Sequence, residues 1–349
     1  MRNRVIEEDL GAITADGLPW DRFRGLAVLV TGANGFIPAY LVESLLHLNE
    51  SRGLGLRVLA MVRDRGRAEA RFAAYKGRPD LEVLVQDLGR PLEPIDGPVD
   101  VVIHAASQAS PAYYDRDPVG TLGPNAIGTA NLLELARARG SRGFLFLSGG
   151  EVYGRVDAAA GPVPEEAFGA VDSLAVRSCY AESKRMGETM CVAWHHQHGV
   201  PARIARLYHT YGPGMRLDDG RVYADFVADL LAGRDLVLKS DGSARRVFCY
   251  LSDAVRGLFT VLLQGDAGAA YNVANDEAEA SIAELAERLV ALFSEKGLKV
   301  VRAQRAQGDR YLPSPLQRTW PSTAKARALG WRPVVGIEEG FLRTLRSYA

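Results

Sequence analysis

The sequence predicts an α/β protein: a doubly wound parallel sheet with a smaller C-terminal α/β lobe. Three observations support this. Apolar runs of strand length alternate with longer helical patterns through residues 25–207, the pattern of successive βαβ units. The first run turns at two glycines, Gly32 and Gly35, directly into a helical stretch. Over 208–349 the alternation relaxes into shorter elements, as expected of a second lobe with some segments returning to the first. Residues 1–24 precede the first strand. Leu10, Ile13, Leu18, Trp20 and Phe23 could pack them as a short arm, but the preferred reading is an ordinary N-terminal extension.

The opening stretch runs Val28-Leu29-Val30-Thr31-Gly32-Ala33-Asn34-Gly35-Phe36-Ile37-Pro38. Gly32 and Gly35 lack Cβ, so the backbone can turn sharply and a pyrophosphate can lie against its amides. The helix that follows, Ala39 to Leu48, offers unpaired N–H groups and the positive end of its dipole. With Asn34, Phe36 and Ile37, these glycines form a candidate dinucleotide site of Rossmann type. Pro38 stands where a third glycine would be, and proline is tolerated in a first helical turn.

Arg57 to Asp64 reads as the second strand. The residue at its end meets the adenosine ribose: an acid accepts the 2′-OH of NAD, an arginine pairs with the 2′-phosphate of NADP. Arg63 points toward NADP, while the adjacent Asp64 keeps NAD open. Leu81 to Leu88 is the third strand, where Asp87, beside Leu88, could accept from the adenine amino group. Val99 to Ala105 is the fourth, and the small residues Ala105, Ala106 and Ser107 let a cofactor pass close to the sheet. His104 reads as a packed residue rather than a metal ligand, and no metal site is expected. Leu122 to Gly140 is a helix carrying Asn125, and Phe144 to Leu147 is the fifth strand.

Ser148-Gly149-Gly150-Glu151-Val152-Tyr153-Gly154 follows that strand, and Tyr180-Ala181-Glu182-Ser183-Lys184 opens a helix running to about His198. Four-residue spacing sets Tyr180 and Lys184 on one helical face. The ammonium should lower the phenol's pKa, letting the tyrosine take a hydroxyl proton as hydride leaves to a nicotinamide. Residues 202–208 form the sixth strand, followed by the loop His209 to Gly214. Then come helix Tyr223 to Ala232, strand Leu236 to Lys239, strand Arg246 to Tyr250 and helix Asp253 to Leu263. Leu285 to Phe293 and Lys325 to Tyr348 read as helices without a chemical signal. Arg221, Arg245 and Arg246 could clasp a diphosphate.

The composition narrows the partners. The 349 residues are 47% hydrophobic and carry 42 basic and 42 acidic side chains, so no nucleic acid or membrane partner is expected. No apolar run reaches the roughly 18 residues of a spanning helix. The odd cysteines, Cys179, Cys191 and Cys249, read as reduced thiols of a cytoplasmic protein.

From about Gly25 to Tyr348 the chain resembles the extended short-chain dehydrogenase/reductase superfamily: the NAD-dependent nucleotide-sugar epimerases, dehydratases and decarboxylases. Within it, the chain looks most like the UDP-glucuronate decarboxylases (UDP-xylose synthases). Ala109-Ser110-Pro111, Glu151-Val152-Tyr153-Gly154, Cys179 to Arg185, Tyr211-Gly212-Pro213, Asp219 to Val222, Arg246 to Asp253 and Leu329-Gly330-Trp331 carry the likeness. The resemblance implies that Tyr180, aided by Lys184, deprotonates a sugar C4 hydroxyl while hydride passes to the cofactor, giving a 4-keto sugar. It implies catalytic roles for Glu151 and Ser148. It also implies substrate contacts, to a UDP-sugar, from Ser110, Glu151, His209, Arg221 and Arg246. A homodimer formed through the Tyr180 and Asn125 helices is implied as well.

The chain departs from the family at Gly149 and Gly150, where the pattern carries a Thr and a Ser or Asp, and at His209 and Gly214, where it carries Asn and Arg. Ordinary dehydration is therefore not expected, and the two glycines should enlarge the pocket beside the nicotinamide. The expected activity is an atypical epimerase or decarboxylase using NAD or NADP. An NADPH-dependent keto-sugar reductase and a non-catalytic dinucleotide-binding protein are the alternatives.

Overall fold

The structure, a computed structural model, describes residues 3–15, 17–156, 161–303 and 316–349. Its centre is a seven-stranded parallel sheet of β1 (Ala27–Thr31), β2 (Arg57–Val62), β3 (Leu81–Val85), β4 (Val101–His104), β5 (Gly143–Gly149), β6 (Ala202–Leu207) and β11 (Ala270–Val273). The spatial order is β3-β2-β1-β4-β5-β6-β11. The order reverses between β1 and β4, so a crevice opens at their C-terminal ends.

Period-2 alternation divides the sheet's side chains between two cores. Val28 and Val30 join Tyr40, Leu41 and Leu45 of α2 (Phe36–Arg52) and Val255, Leu258 and Phe259 of α8 (Leu251–Gln264). Leu29, Leu59 and Val102 point the other way, against Leu132 and Leu133 of α5 (Pro118–Arg139) and Cys191 of α6 (Ser178–His198). A separate core, with Tyr211, Phe226, Phe248 and Phe341, holds α7 (Val222–Leu231), α9 (Ile282–Ala291) and α11 (Ile337–Arg346) together.

The structure corrects the expected segmentation in four places. The N-terminal residues are not a loose extension: α1 (Arg4–Ala15) and the turn Trp20–Phe23 are packed in, with Leu10 and Ile13 fully buried. Asp9 accepts hydrogen bonds from Tyr40 of α2 at 3.1 Å, and from Tyr250 and Arg343 at 2.8 Å each. Strand β11 was not anticipated. It is four residues long and interrupted by Asn272, which leaves too little periodicity to read.

The single strand expected over Arg246 to Tyr250 is two, β9 (Arg245–Val247) and β10 (Cys249–Tyr250). It switches partners at Phe248, from antiparallel β12 (Glu279–Ser281) to parallel β7 (Thr210–Tyr211). The helical tail breaks between α10 (Ala324–Ala328) and α11. Gly330 there takes φ +90°, and the buried Trp331 indole donates to the Asp253 carbonyl at 3.0 Å.

Candidate active site

At the end of β1, Gly32 adopts φ +63°, and a Cβ there would lie 2.8 Å from the Ala106 Cα. Glycine is therefore required twice, by conformation and by close approach. Gly35 is the N-cap of α2 and has no side chain to occupy that helix's first amides. Thr31 locks the cradle. Its Oγ1 accepts the Ala105 and Ala106 N–H groups at 3.1 Å each, so its own proton goes to Nδ1 of His104 at 3.0 Å. That valence assigns the His104 proton to Nε2, which donates to the Pro124 carbonyl at 3.1 Å. Burial, with the Lys184 charge adding to it, pushes His104 down to about 3 and keeps it neutral. His104 thus ties β1, β4 and α5 together and is a packed residue.

Ser107 Oγ and Asn125 Oδ1 are buried polar atoms without a hydrogen-bond partner among the described residues. The Asn125 amide nitrogen donates to Thr121 and to Ser183 Oγ. Unpaired buried acceptors beside a glycine cradle fit a polar ligand of dinucleotide type. Asn34, Phe36 and Ile37 are half-buried at the start of α2. Leu88 is buried, and a Cβ on Gly128 of α5 would lie 2.9 Å from its Cβ. Asp87, expected to reach adenine, is exposed and accepts the Gly89 N–H at 2.9 Å through Oδ1 in a local turn. Arg63 is exposed, while Asp64 is occupied as the N-cap of α3 (Arg65–Arg71), accepting from Arg67 N at 3.0 Å.

Helix α6 carries the reactive pair. It lies close on β5 because residue 187 is glycine: a Cβ there would be 2.4 Å from the Phe146 ring. Lys184 is buried, donates to the Leu147 carbonyl at 2.6 Å and sits over the Phe146 ring at 4.7 Å. The Tyr180 hydroxyl lies 3.1 Å from where a Cβ on Gly149 would be. Its ring stacks on Tyr114 at 5.3 Å, with 18° between the planes.

The expected fall in the phenol's pKa is not found. Desolvation first, and the Glu151 charge second, push Tyr180 well above the usual phenol range, against an opposing pull from Arg221. The Lys184 ammonium bonds a carbonyl instead of the phenol, and burial pushes it down to about 7 against the opposing Glu188 charge.

This has a measurable consequence for the cofactor-free protein. The folded Lys184 value of about 7 lies below its ordinary 10.5, so the unfolded chain binds more protons in that window and stability rises with pH across it. Thermal melts of wild type and Lys184→Met are expected to show their stability difference moving in favour of wild type as pH rises from about 7 to about 10.5. A difference independent of pH would contradict the burial of this ammonium.

Ser148 is committed elsewhere: it donates to Glu188 Oε1 at 2.6 Å, and Glu188 also holds Arg206 at 2.7 Å. Glu151, on the turn Gly150–Tyr153, is gripped through both oxygens by Arg177 at 2.8 and 3.1 Å. The pocket is not enlarged at position 150, because a Cβ there would lie 2.4 Å from Cε1 of the buried Tyr208. The tyrosine ring already fills the space of the missing side chain.

On the facing side, Arg221 bonds Asp219 at 2.9 Å and the Ala109 carbonyl at 2.7 Å, and Ser110 Oγ donates to the Asp219 carbonyl. His209 has a buried Nδ1 without a hydrogen-bond partner among the described residues and is held well below its usual pKa by burial, with the Arg246 and Arg221 charges adding. Arg246 donates to the carbonyls of Arg245, Leu316 and Gln317. Arg245 pairs with Glu284 and Glu279, so these two arginines are already engaged. Arg177, Tyr114, Tyr208 and Glu188 were missed as site residues. Arg177, three residues before Tyr180, and Glu188, four residues after Lys184, are the two legible from helical spacing.

Among the described residues no helix is long and apolar enough to cross a membrane, and no group of His, Cys, Asp and Glu could hold a metal ion. Residues 28–274 match the model of the NAD dependent epimerase/dehydratase family. UDP-glucuronic acid decarboxylase 5 of Arabidopsis thaliana is 37% identical, over 90% of this chain and 87% of that protein. UDP-glucuronic acid decarboxylase 1 of Xenopus tropicalis is 35% identical, over 92% and 72%. The solved dTDP-glucose 4,6-dehydratase DesIV of Streptomyces venezuelae, with NAD and TYD bound, superposes with a TM-score of 0.75 at 27% identity, over 92% of this chain and 96% of that one. The fold is also that of UDP-glucuronic acid 4-epimerase of Bacillus cereus, solved with UDP-glucuronic acid and NAD (TM-score 0.75, 22% identity, covering 92% and 98%).

Proposed function

Because the chain belongs to the NAD dependent epimerase/dehydratase family, we propose that it modifies a UDP-linked sugar acid through a 4-keto intermediate, by decarboxylation or C4 epimerisation. One observation carries the reading: Tyr180 and Lys184 occupy successive turns of α6 at the C-terminal end of β5, the Tyr180 hydroxyl 3.1 Å from where a Cβ on Gly149 would be and Lys184 on the Leu147 carbonyl. Relatives named as UDP-glucuronic acid decarboxylases support the sugar acid.

Gly32, Gly35, Ser107, Asn125 and Lys184 would hold the dinucleotide. When bound, its nicotinamide supplies a reversible acceptor for the C4 hydrogen and its electron pair. Tyr180 takes the C4 hydroxyl proton and later returns it. Arg221 supplies a cation near the phenol that lowers its proton affinity. A 4-keto sugar bearing a C5 carboxylate is a β-keto acid, which loses carbon dioxide without a general acid at position 150. Elimination of water needs such an acid, and glycine offers none.

The capping role of Asp64 and the exposed Arg63 support NADP; solved neighbours that hold NAD support NAD. Mass analysis of nucleotide released from purified protein separates the two. A cytoplasmic location is part of the proposal, argued from the three free cysteines.

The test is incubation with UDP-glucuronic acid and a panel of other nucleotide sugars, without added cofactor. Loss of carbon dioxide marks decarboxylation and an isomeric product marks epimerisation. Conversion of none of them overturns the proposal. An NADPH-dependent reductase is the second reading, favoured by Arg63; it requires one NADPH consumed per keto sugar.

A homodimer through α5 and α6 is also proposed. Ile127 of α5 and Met186 of α6 are about half exposed, at 52% and 50%, an apolar surface that a second copy would cover. Wild type is expected to sediment as a dimer and Ile127→Glu with Met186→Glu as a monomer, whereas the same sedimentation coefficient for both would rule this interface out.

A further inference from the structure

We infer that Arg177 is a positioning residue of the reaction: it fixes the carboxylate plane of Glu151 and, through Tyr114, the ring of Tyr180. The inference rests on the function proposed above. The Arg177 guanidinium donates to both Glu151 oxygens, at 2.8 and 3.1 Å, with both side chains largely withdrawn from solvent. Such a fork sets an angle as well as a distance, which a point charge cannot do. The same guanidinium lies 5.6 Å from the centre of the Tyr114 ring, and Tyr114 stacks on Tyr180. Tyr114 is pinned in turn by its hydroxyl bond to the Ala109 carbonyl at 3.1 Å, the carbonyl that Arg221 also holds.

Arg177 is the N-cap residue of α6, one turn before Tyr180. One side chain therefore spans the turn after β5 and the start of the helix bearing the phenol. With glycine at 149 and 150, that turn has no side chain of its own before Glu151 to brace it.

The test compares Arg177→Met, Arg177→Lys, Glu151→Gln and the double variant Glu151→Gln/Arg177→Met, on the nucleotide sugar that wild type converts. Arg177→Met is expected to lower kcat about 100-fold with KM changed less than about threefold. Arg177→Lys, which keeps the charge but loses the fork, recovers only part of this. In the Glu151→Gln background Arg177→Met costs less than it does in wild type, because the share carried by Glu151 is already lost and only the share carried through Tyr114 remains. Multiplied single effects, or an unaffected kcat in Arg177→Met, overturn the inference. A crystal structure of Arg177→Met gives a readout free of turnover: a rotated Glu151 carboxylate is expected, and an unmoved one also overturns it. An inactive wild type would instead remove the proposed function, leaving the crystal structure to judge the positioning.

Discussion

Tyr180→Phe is expected to lower turnover of the nucleotide sugar about a thousandfold, the range of a lost general acid–base, with folding and cofactor content unchanged. The variant removes one oxygen and leaves the ring, so the stack on Tyr114 at 5.3 Å survives. Lys184 stays on the Leu147 carbonyl, since that bond does not involve the phenol. The size of the loss follows from how the site is charged. Desolvation and the Glu151 carboxylate both hold the phenol protonated, so no other group can inherit its role at low cost. His209 is neutral and held well below its usual pKa, and Glu151 has both oxygens on Arg177. Single-turnover measurements with the bound cofactor check this, because they follow the oxidation step alone. A loss of less than about tenfold would show that another base takes the C4 proton.

The fold was legible because its signal is local. The strand Val28–Thr31, the glycines and the helix start each obey short-range rules, and so does the four-residue spacing of Tyr180 and Lys184. What was not legible depends on residues distant in sequence. Gly150 looked like a lost catalytic side chain, and only coordinates show Tyr208, from the end of β6, in its place. Asp87 and Asp64 are acids at strand ends, where a ribose or adenine could sit, and the sequence does not show that each also accepts a neighbouring amide. Asx-turn and N-cap chemistry competes for the same carboxylates. The phenol's pKa was misjudged because spacing places the ammonium on the same face without saying where its proton goes. The sequence favours an ordinary N-terminal extension over a packed arm because nothing local shows that one buried Asp9 bonds groups from three other parts of the chain.

Gly150→Ser is expected to destabilise the protein by about 1–3 kcal/mol, the range for overpacking a filled site, and to lower turnover about 100-fold. The position resembles one that carries Ser or Asp in related enzymes, so a substitution toward the family pattern would naively restore function. The geometry argues the reverse. A Cβ at residue 150 would stand 2.4 Å from Cε1, 2.8 Å from Cζ and 2.9 Å from Cδ1 of Tyr208, a ring edge rather than the tip of a flexible chain. The ring cannot swing aside freely, because its hydroxyl donates to Asn272 Oδ1 at 3.2 Å, an atom that Tyr153 also holds at 2.8 Å. The turn Gly150–Tyr153 must therefore move, carrying Glu151 off Arg177. In the Tyr208→Val background, which lacks the ring, Gly150→Ser is expected to lower the melting temperature much less than it does in wild type. An undiminished cost in the valine background would show that something other than the ring excludes a side chain at 150. A diminished cost would show that Gly150 and Tyr208 are coupled, the ring filling the space that a side chain at 150 would need. Under the proposed function, the second chemical step would then rest on the reactivity of the 4-keto sugar acid rather than on a side chain at 150.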